Sequence, residues 1–268
     1  MLVTLFSVLT YYSSLGCTGS LHDPISRRVV RGFEADINSF PYSVFLYFNF
    51  QRPSSCGSSL ITVQAVVTSA YCMRELMHHK NGVIHAFLGA SIPMHSKVVR
   101  NITAYEIHPR YKEEKGKFDL AVAKFNREVP LMHGIRKIPI YNKSIKQRAI
   151  LYTAGWGKKW PNVVPDYSDM RGLAASKQQL IPVSECLNNP AIKPSPSFMC
   201  SMPIKGYHYK GDFGNGLVIV KPTLALVGVV SFTMKDATFY ANVMYQRVWV
   251  FVSLKKLYGR KPVDKDCC

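Results

Sequence analysis

The chain has 268 residues, of which 47% are apolar and 12% aromatic, so it is too apolar for a disordered protein and long enough for one large domain or two packed halves. Its formal net charge of +18 favours anionic partners such as sulfated glycans, nucleic acid, acidic proteins or anionic lipid. The charge does not determine the fold.

The first element is an apolar run, MLVTLFSVLTYYSSLG, that ends in small residues and is typical of a secretory signal peptide. The sequence predicts a signal peptide at 1–19 that ends at Gly16 or Gly19, with a buried N-terminal helix or strand as the alternative. No other segment of the sequence is long and apolar enough to cross a bilayer. We therefore expect a secreted, extracellular protein with no membrane span.

From residue 41 onward, short runs rich in Val, Ile, Phe and Tyr alternate with turn residues, which is typical of strands. Examples in chain order are YSVFLYF, SLITVQAVVTSA, VIHAFLG, FDLAVAKF, AILYTAGWG, LVIV and LALVGVVSF. Near the end, Trp249, Val252, Leu254 and Leu257 predict one face of a short helix. The pattern indicates an all-β protein with a C-terminal helix and leaves sandwich and barrel open.

The seven cysteines include two pairs that are close in sequence, and secretion favours disulfides. Cys56 with Cys72, and Cys186 with Cys200, would each close a loop of about 15 residues, worth about 3 kcal/mol. Spacing alone does not prove either pairing. The pairing of three further cysteines stays open: Cys17, Cys267 and Cys268.

Two sequons, NIT at Asn101 and NKS at Asn142, are candidate glycosylation sites. The spacing of cysteine and histidine matches no zinc site, so no metal is expected, and no cofactor either.

Nine short motifs, taken in order, resemble those of trypsin/chymotrypsin-like serine proteases (peptidase family S1). They are RRVVRG at 27–32, CGSSLI at 56–61, TSAYC at 68–72, FDLAVAKF at 118–125, AGWG at 154–157, FMCSM at 198–202, GDFGNGL at 211–217, VGVVSF at 227–232 and YQRV at 245–248. The resemblance covers residue 29 to about residue 260.

The resemblance implies two antiparallel six-stranded β-barrels of the chymotrypsin-like type with a C-terminal helix. Barrel one is expected at about 29–137 and barrel two at about 138–268, after a short pro-segment at 20–28. The disulfides that the family implies would include Cys56–Cys72 and Cys186–Cys200.

The resemblance also places the family's catalytic triad, in which serine attacks, histidine takes its proton and aspartate orients the histidine. The equivalent positions hold Phe213, Tyr71 and Asp119, and the oxyanion-hole equivalents are Gly211 and Phe213. A phenyl ring has no nucleophilic atom, and a phenol that titrates near 10 is a poor base at neutral pH. We expect the Tyr71 hydroxyl to donate a hydrogen bond to Asp119 in place of the missing imidazole.

The specificity pocket of the family has its equivalents at Tyr207, Thr233 and Val243. Bulky side chains at these positions predict a filled pocket, with a different substrate specificity as the alternative.

The activation site has its equivalents at Arg28, Val29 and Asp212. Cleavage after Arg28 would free the Val29 amine to pair with Asp212, because a buried carboxylate needs a partner. The alternative is that Asp212 caps a turn and Arg28 is never cut.

The sequence thus predicts a secreted serine protease homologue that lacks the catalytic His and Ser and acts by binding, as a cofactor, decoy or regulator in extracellular proteolysis. Its expected partners are an extracellular protein, such as an active protease or its substrate, and a sulfated glycan or other polyanion. Nucleic acid is not expected. The alternatives are an active trypsin-like endopeptidase with a non-standard site and a structural secreted protein.

Overall fold

A computed structural model describes residues 32–49, 54–74, 82–113, 116–157, 172–187, 193–206, 208, 211–234 and 236–259. Several residues singled out in the sequence lie outside these ranges: the signal peptide and pro-segment, Cys17, Arg28, Val29, Tyr207, Cys267 and Cys268.

The first half of the described chain forms a closed barrel after a two-residue strand, β1. The elements are β1 (Phe33–Glu34), β2 (Ser43–Asn49), β3 (Ser54–Thr62), β4 (Ala65–Thr68), α1 (Ala70–Arg74), β5 (Val83–Leu88), β6 (Val98–Ile107) and β7 (Ala121–Phe125). The closed order of the six barrel strands is β2-β3-β4-β7-β6-β5. Alternation turns Val44, Leu46 and Phe48 of β2 into this barrel, because successive side chains of a strand point to opposite faces.

The second half forms another closed barrel and ends in a helix. The elements are β8 (Ile150–Gly155), β9 (Ala174–Ile181), α2 (Val183–Cys186), β10 (Phe198–Lys205), β11 (Gly216–Ile219), β12 (Ala225–Met234), β13 (Ala237–Asn242) and α3 (Arg247–Tyr258). The strand order β9-β10-β13-β12-β11-β8 closes because β8 also pairs with β9, and β1 adds to the start of β9. The structure therefore confirms the predicted fold of two antiparallel six-stranded barrels and a C-terminal helix.

The two barrels meet in a shared apolar core that α3 also joins. Leu120 and Val122 enter it from barrel one, Val229 from barrel two, and Val250 and Leu254 from the helix, all fully buried. Burying side chains of this size contributes about 1.5–3 kcal/mol each.

The buried face of α3 differs from the one expected from the sequence. Val250 and Leu254 are fully buried, whereas Val252 is 58% exposed. The prediction that Val252 faces the core is therefore wrong, because the i, i+4 pair that packs inward begins at Val250 and not at Trp249.

Both expected disulfides are present. Cys56–Cys72 joins β3 to α1, and Cys186–Cys200 joins α2 to β10. No helix of the described residues is long and apolar enough to span a bilayer.

Candidate functional site

Asp119 lies at the junction of the barrels, two residues before β7. Because Thr68 at the end of β4 pairs with Ala121 of β7, the start of α1 lies beside this carboxylate. The backbone N–H of Tyr71 donates to Asp119 Oδ1 at 2.8 Å. The Ser231 hydroxyl, from β12 of barrel two, donates to Oδ2 at 2.5 Å. The carboxylate thus ties the two barrels together.

Burial raises the pKa of the Asp119 carboxyl to about 6, although hydrogen bonds from Ser231 and from the backbone N–H groups of Tyr71 and Ala70 act in the opposite direction. Among the described residues, these groups are the donors to the carboxylate, and the Tyr71 hydroxyl is not one of them. The expectation of a hydroxyl bond from Tyr71 is wrong, since only the backbone N–H of this residue bonds the carboxylate and its ring packs against Phe213.

The Tyr71 ring instead contacts Phe213. The two rings meet edge to face, with centroids 5.4 Å apart and planes at 72°. Such aromatic pairs contribute about 0.5–1.5 kcal/mol beyond their buried area. Phe213 also packs against the apolar cores of both barrels, so its ring acts as packing at the junction.

The loop that carries Phe213 is held by backbone contacts. The Phe213 carbonyl accepts a 2.7 Å hydrogen bond from the Gly57 N–H. Gly214 has a φ of +87°, and a Cβ there would lie 2.1 Å from the Gly57 carbonyl oxygen. Gly211 also has a positive φ, of +99°. Only glycine fits this close approach of loop and strand at 214.

Asp212 is fully buried beside Phe213. The Gly157 N–H donates to its Oδ1 at 3.0 Å, and the Asn215 side-chain amide donates to the same oxygen at 3.2 Å. Cβ atoms at Gly155 and Gly157 would lie 2.5 and 2.4 Å from the carboxylate, so both glycines of the AGWG motif make room for it. Arg28 and Val29 lie outside the described residues, and the activation latch stays a prediction.

His208 is also buried, close to the Asp212 carboxylate. Its Nδ1 lies 3.9 Å from Asp212 Oδ2 and, within the described part of the chain, has no hydrogen-bond partner. Burial lowers the pKa of His208 to about 3, so the imidazole is neutral at neutral pH and this contact is not a salt bridge. Its Nε2 lies 3.3 Å from the Ser176 hydroxyl.

From Ser176 a chain of buried polar groups runs through barrel two. The Gln178 amide donates to the Ser176 hydroxyl at 3.0 Å, and the Ser201 hydroxyl donates to Gln178 Oε1 at 2.9 Å. The Ser201 and Tyr240 hydroxyls lie 3.0 Å apart. This series of hydrogen-bonded side chains therefore connects β9, β10 and β13, and it ends beside His208.

Comparison with known proteins identifies the family. A family model described as trypsin matches residues 29–254. The chain belongs to the trypsin family. It is 27% identical to hypodermin-A of Hypoderma lineatum over 84% of this chain and 84% of that protein. It is also 27% identical to granzyme-like protein 1 of Rattus norvegicus, over 85% of this chain and 92% of that protein.

A solved structure of the trypsin fold supports the same architecture. The scabies mite inactivated protease paralogue S-D1 superimposes with a TM-score of 0.73 and covers 87% of this chain and 100% of its own. The sequence identity of 19% makes this a likeness of fold.

The sequence motifs align Phe213, Tyr71 and Asp119 with the triad of the trypsin family, and this assignment stays a prediction. Phe213 offers neither a hydroxyl nor a thiol for attack, and a phenol such as that of Tyr71 is a weak base at neutral pH. In the structure, Asp119 accepts hydrogen bonds from the Tyr71 N–H and the Ser231 hydroxyl. Within the described residues, no group of His, Cys, Asp and Glu has an arrangement that could hold a metal ion.

Two of the three residues expected to fill the specificity pocket, Thr233 and Val243, lie within the described residues. Thr233 lies in β12 and pairs with Thr238 of β13, which is 3% exposed. Val243 is fully buried in the core between the barrels with Val250 and Leu254. Because Tyr207 lies outside the described residues, the filled pocket stays a prediction.

The two sequons lie in different surroundings. Asn101 lies in β6, and its Oδ1 is 3.0 Å from His85 Nδ1. Asn142 is exposed in the segment before β8.

Proposed function

We propose that this chain is a secreted serine protease homologue without catalytic activity, which acts by binding as a cofactor, decoy or regulator in extracellular proteolysis. The observation that supports the proposal is the ring contact between Tyr71 and Phe213, the two residues that the sequence motifs align with the base and the nucleophile of the family. The inactivated protease paralogue of the scabies mite, a neighbour in fold, supports it by its name.

The test is labelling with a fluorophosphonate probe that reacts with activated serines. We expect no labelling of the natural chain, before or after cleavage at Arg28, because Phe213 has no attacking atom. The double variant Tyr71→His/Phe213→Ser restores both groups beside Asp119 and serves as the positive control. Labelling of the natural chain would support the alternative of an active endopeptidase with a non-standard site.

The proposed binding role has an extracellular protein as partner, such as an active protease or its substrate, and a polyanion as a second ligand. The net charge of +18 supports the polyanion. We expect the chain to elute from heparin at a higher salt concentration than from a sulfonate cation exchanger. Elution at the same salt concentration from both columns would mean that the basic residues are a solvated surface without a specific site for a polyanion.

The proposed latch joins the Val29 amine, freed by cleavage after Arg28, to Asp212. The full burial of the Asp212 carboxylate supports it, because a buried carboxylate needs a partner. N-terminal sequencing of the secreted protein tests it, and a mature chain that begins upstream of Val29 would contradict it.

A further inference from the structure

The outward face of α3 carries exposed apolar side chains, which is unusual for a surface helix. Tyr245, Val248 and Val252 are 54%, 69% and 58% exposed. Val248 and Val252 are one helical turn apart and so lie side by side, with Tyr245 in the turn before the helix. We call these three residues the α3 stripe. The opposite face already packs into the core through Val250 and Leu254, so the stripe has no structural role in the shared core.

Basic residues border the stripe. The helix carries Arg247, Lys255 and Lys256 and no acidic residue, and all three basic residues are exposed. Lys256 forms an ion pair with Glu106, whereas no described ion pair includes Arg247 or Lys255. Arg247 Nη1 donates to the Asn142 carbonyl at 3.4 Å, which brings the exposed Lys143 close to the start of the helix.

The combination of apolar and basic side chains indicates what kind of ligand the α3 stripe would bind. A sulfated glycan would use the charges and leave two valines in water. A second copy of this chain would bring Arg247 and Lys255 against charges of the same sign, which opposes association. An acidic segment with apolar side chains on one face would satisfy both features, since isolated apolar residues need no partner but a contiguous stripe with a charged border indicates an interaction site.

We propose that the α3 stripe is a docking surface for an acidic amphipathic segment of a partner protein. The apolar side chains of that segment cover Val248 and Val252, and its carboxylates face Arg247 and Lys255. The inference rests on the proposed binding role. Its test uses no catalytic readout, so the labelling result and the binding result can fail separately.

The test measures fluorescence anisotropy of two labelled peptides with the full chain. One peptide has Leu at i, i+3, i+4 and i+7 with Glu between, and the other has the same composition with the Leu residues scrambled off one face. We expect the first peptide to bind at least about tenfold more tightly than the scrambled one, with an affinity that falls as salt rises.

Three variants locate the site. Val248→Ser/Val252→Ser should weaken binding about tenfold, because it removes the central apolar anchors. Lys255→Glu should weaken binding and its salt dependence while leaving the apolar stripe in place. The matched control is Met202→Ser/Ile204→Ser on β10, which removes two exposed apolar residues, 37% and 49% exposed, beside Lys205 and should bind as the natural chain does.

Several results would overturn the proposal. They are equal binding of the two peptides, no binding of either, or a stripe variant that binds like the natural chain. Two further measurements identify the other occupants. Sedimentation with phosphatidylserine vesicles that is lost in Val248→Ser/Val252→Ser would assign the stripe to a lipid surface, and self-association lost in the same variant would assign it to a second copy.

Discussion

The polar groups inside barrel two and the pair of aromatic rings at the junction between the barrels are held in place by different kinds of contact. In barrel two, Ser176, Gln178, Ser201 and Tyr240 form a continuous chain of hydrogen bonds. At the junction, the residues that the sequence motifs align with the serine and the histidine of the trypsin family are Phe213 and Tyr71, whose rings are in contact. The groups of barrel two are joined by hydrogen bonds, whereas this pair is joined by apolar contact.

The difference shows that hydrogen-bonded buried side chains depend on one another more strictly than packed aromatic rings do. A buried polar group without a partner costs about 1–3 kcal/mol, so one member of a hydrogen-bonded chain cannot be exchanged alone. An aromatic ring at a junction needs only shape and neighbours, and Phe213 finds them in both barrel cores. The packing of Phe213 therefore depends on shape and on apolar neighbours, and not on one particular hydrogen-bond partner.

The largest effect that would test this comparison is truncation of Phe213. Phe213→Ala removes a ring that packs on both cores, and we expect a loss of about 3 kcal/mol in the free energy of unfolding, because the ring is half-buried. Urea denaturation measures it. Phe213→Leu keeps an apolar side chain and should restore at least half of the loss. A change below about 0.5 kcal/mol for the alanine variant would show that the ring is not packing.

The second prediction uses the pKa of Asp119, which burial raises to about 6 from 3.8 in an exposed carboxyl. Because the folded protein holds this proton more tightly than the unfolded chain, the stabilisation is complete below about pH 4 and is lost as pH rises through about 6. We expect stability to fall by roughly 2 kcal/mol over this window, and by no more than about 3. Thermal melts of the natural chain and of Asp119→Asn measure the contribution as a difference, and parallel curves would contradict it.

The sequence predicts the fold and the family because both depend on local patterns. Runs of Val, Ile and Phe specify the strands, and motifs such as GDFGNGL and TSAYC lie at fixed places on them. The motifs alone also identify Asp119, Tyr71 and Phe213 as residues of one site.

The sequence pattern does not predict details that depend on strand register or on the direction of individual side chains. The helix segment VWVFV alternates Val with aromatic residues, so it does not tell which of Val250 and Val252 is buried. The place of the turn between β12 and β13 decides which residue pairs with Thr233, and the sequence does not predict that this residue is Thr238. One donor to Asp119 is the backbone N–H of Tyr71, and a backbone donor cannot be predicted from the residue type.

A third prediction tests the chain of buried polar groups in barrel two. Ser201→Ala removes the hydroxyl that donates to Gln178 and lies beside the Tyr240 hydroxyl. We expect a loss of about 1–2 kcal/mol, since Gln178 Oε1 would be left without this donor. Urea denaturation measures it, with Ser195→Ala as a control outside the chain of groups. Equal losses of stability in the two variants would mean that the connected polar groups of barrel two stabilise the fold no more than isolated side-chain hydrogen bonds do.

The smallest expected effect concerns Tyr71 and returns to Asp119. Because the backbone N–H of residue 71 binds Oδ1, Tyr71→Phe should leave the pKa of the Asp119 carboxyl unchanged at about 6. Ser231→Ala should raise that pKa, since the Ser231 hydrogen bond lowers it. Carboxyl titration by NMR compares the two variants. A rise in Tyr71→Phe as large as that in Ser231→Ala would mean that the phenol hydroxyl bonds Asp119 after all, and that Tyr71 had taken over the bond of the missing histidine.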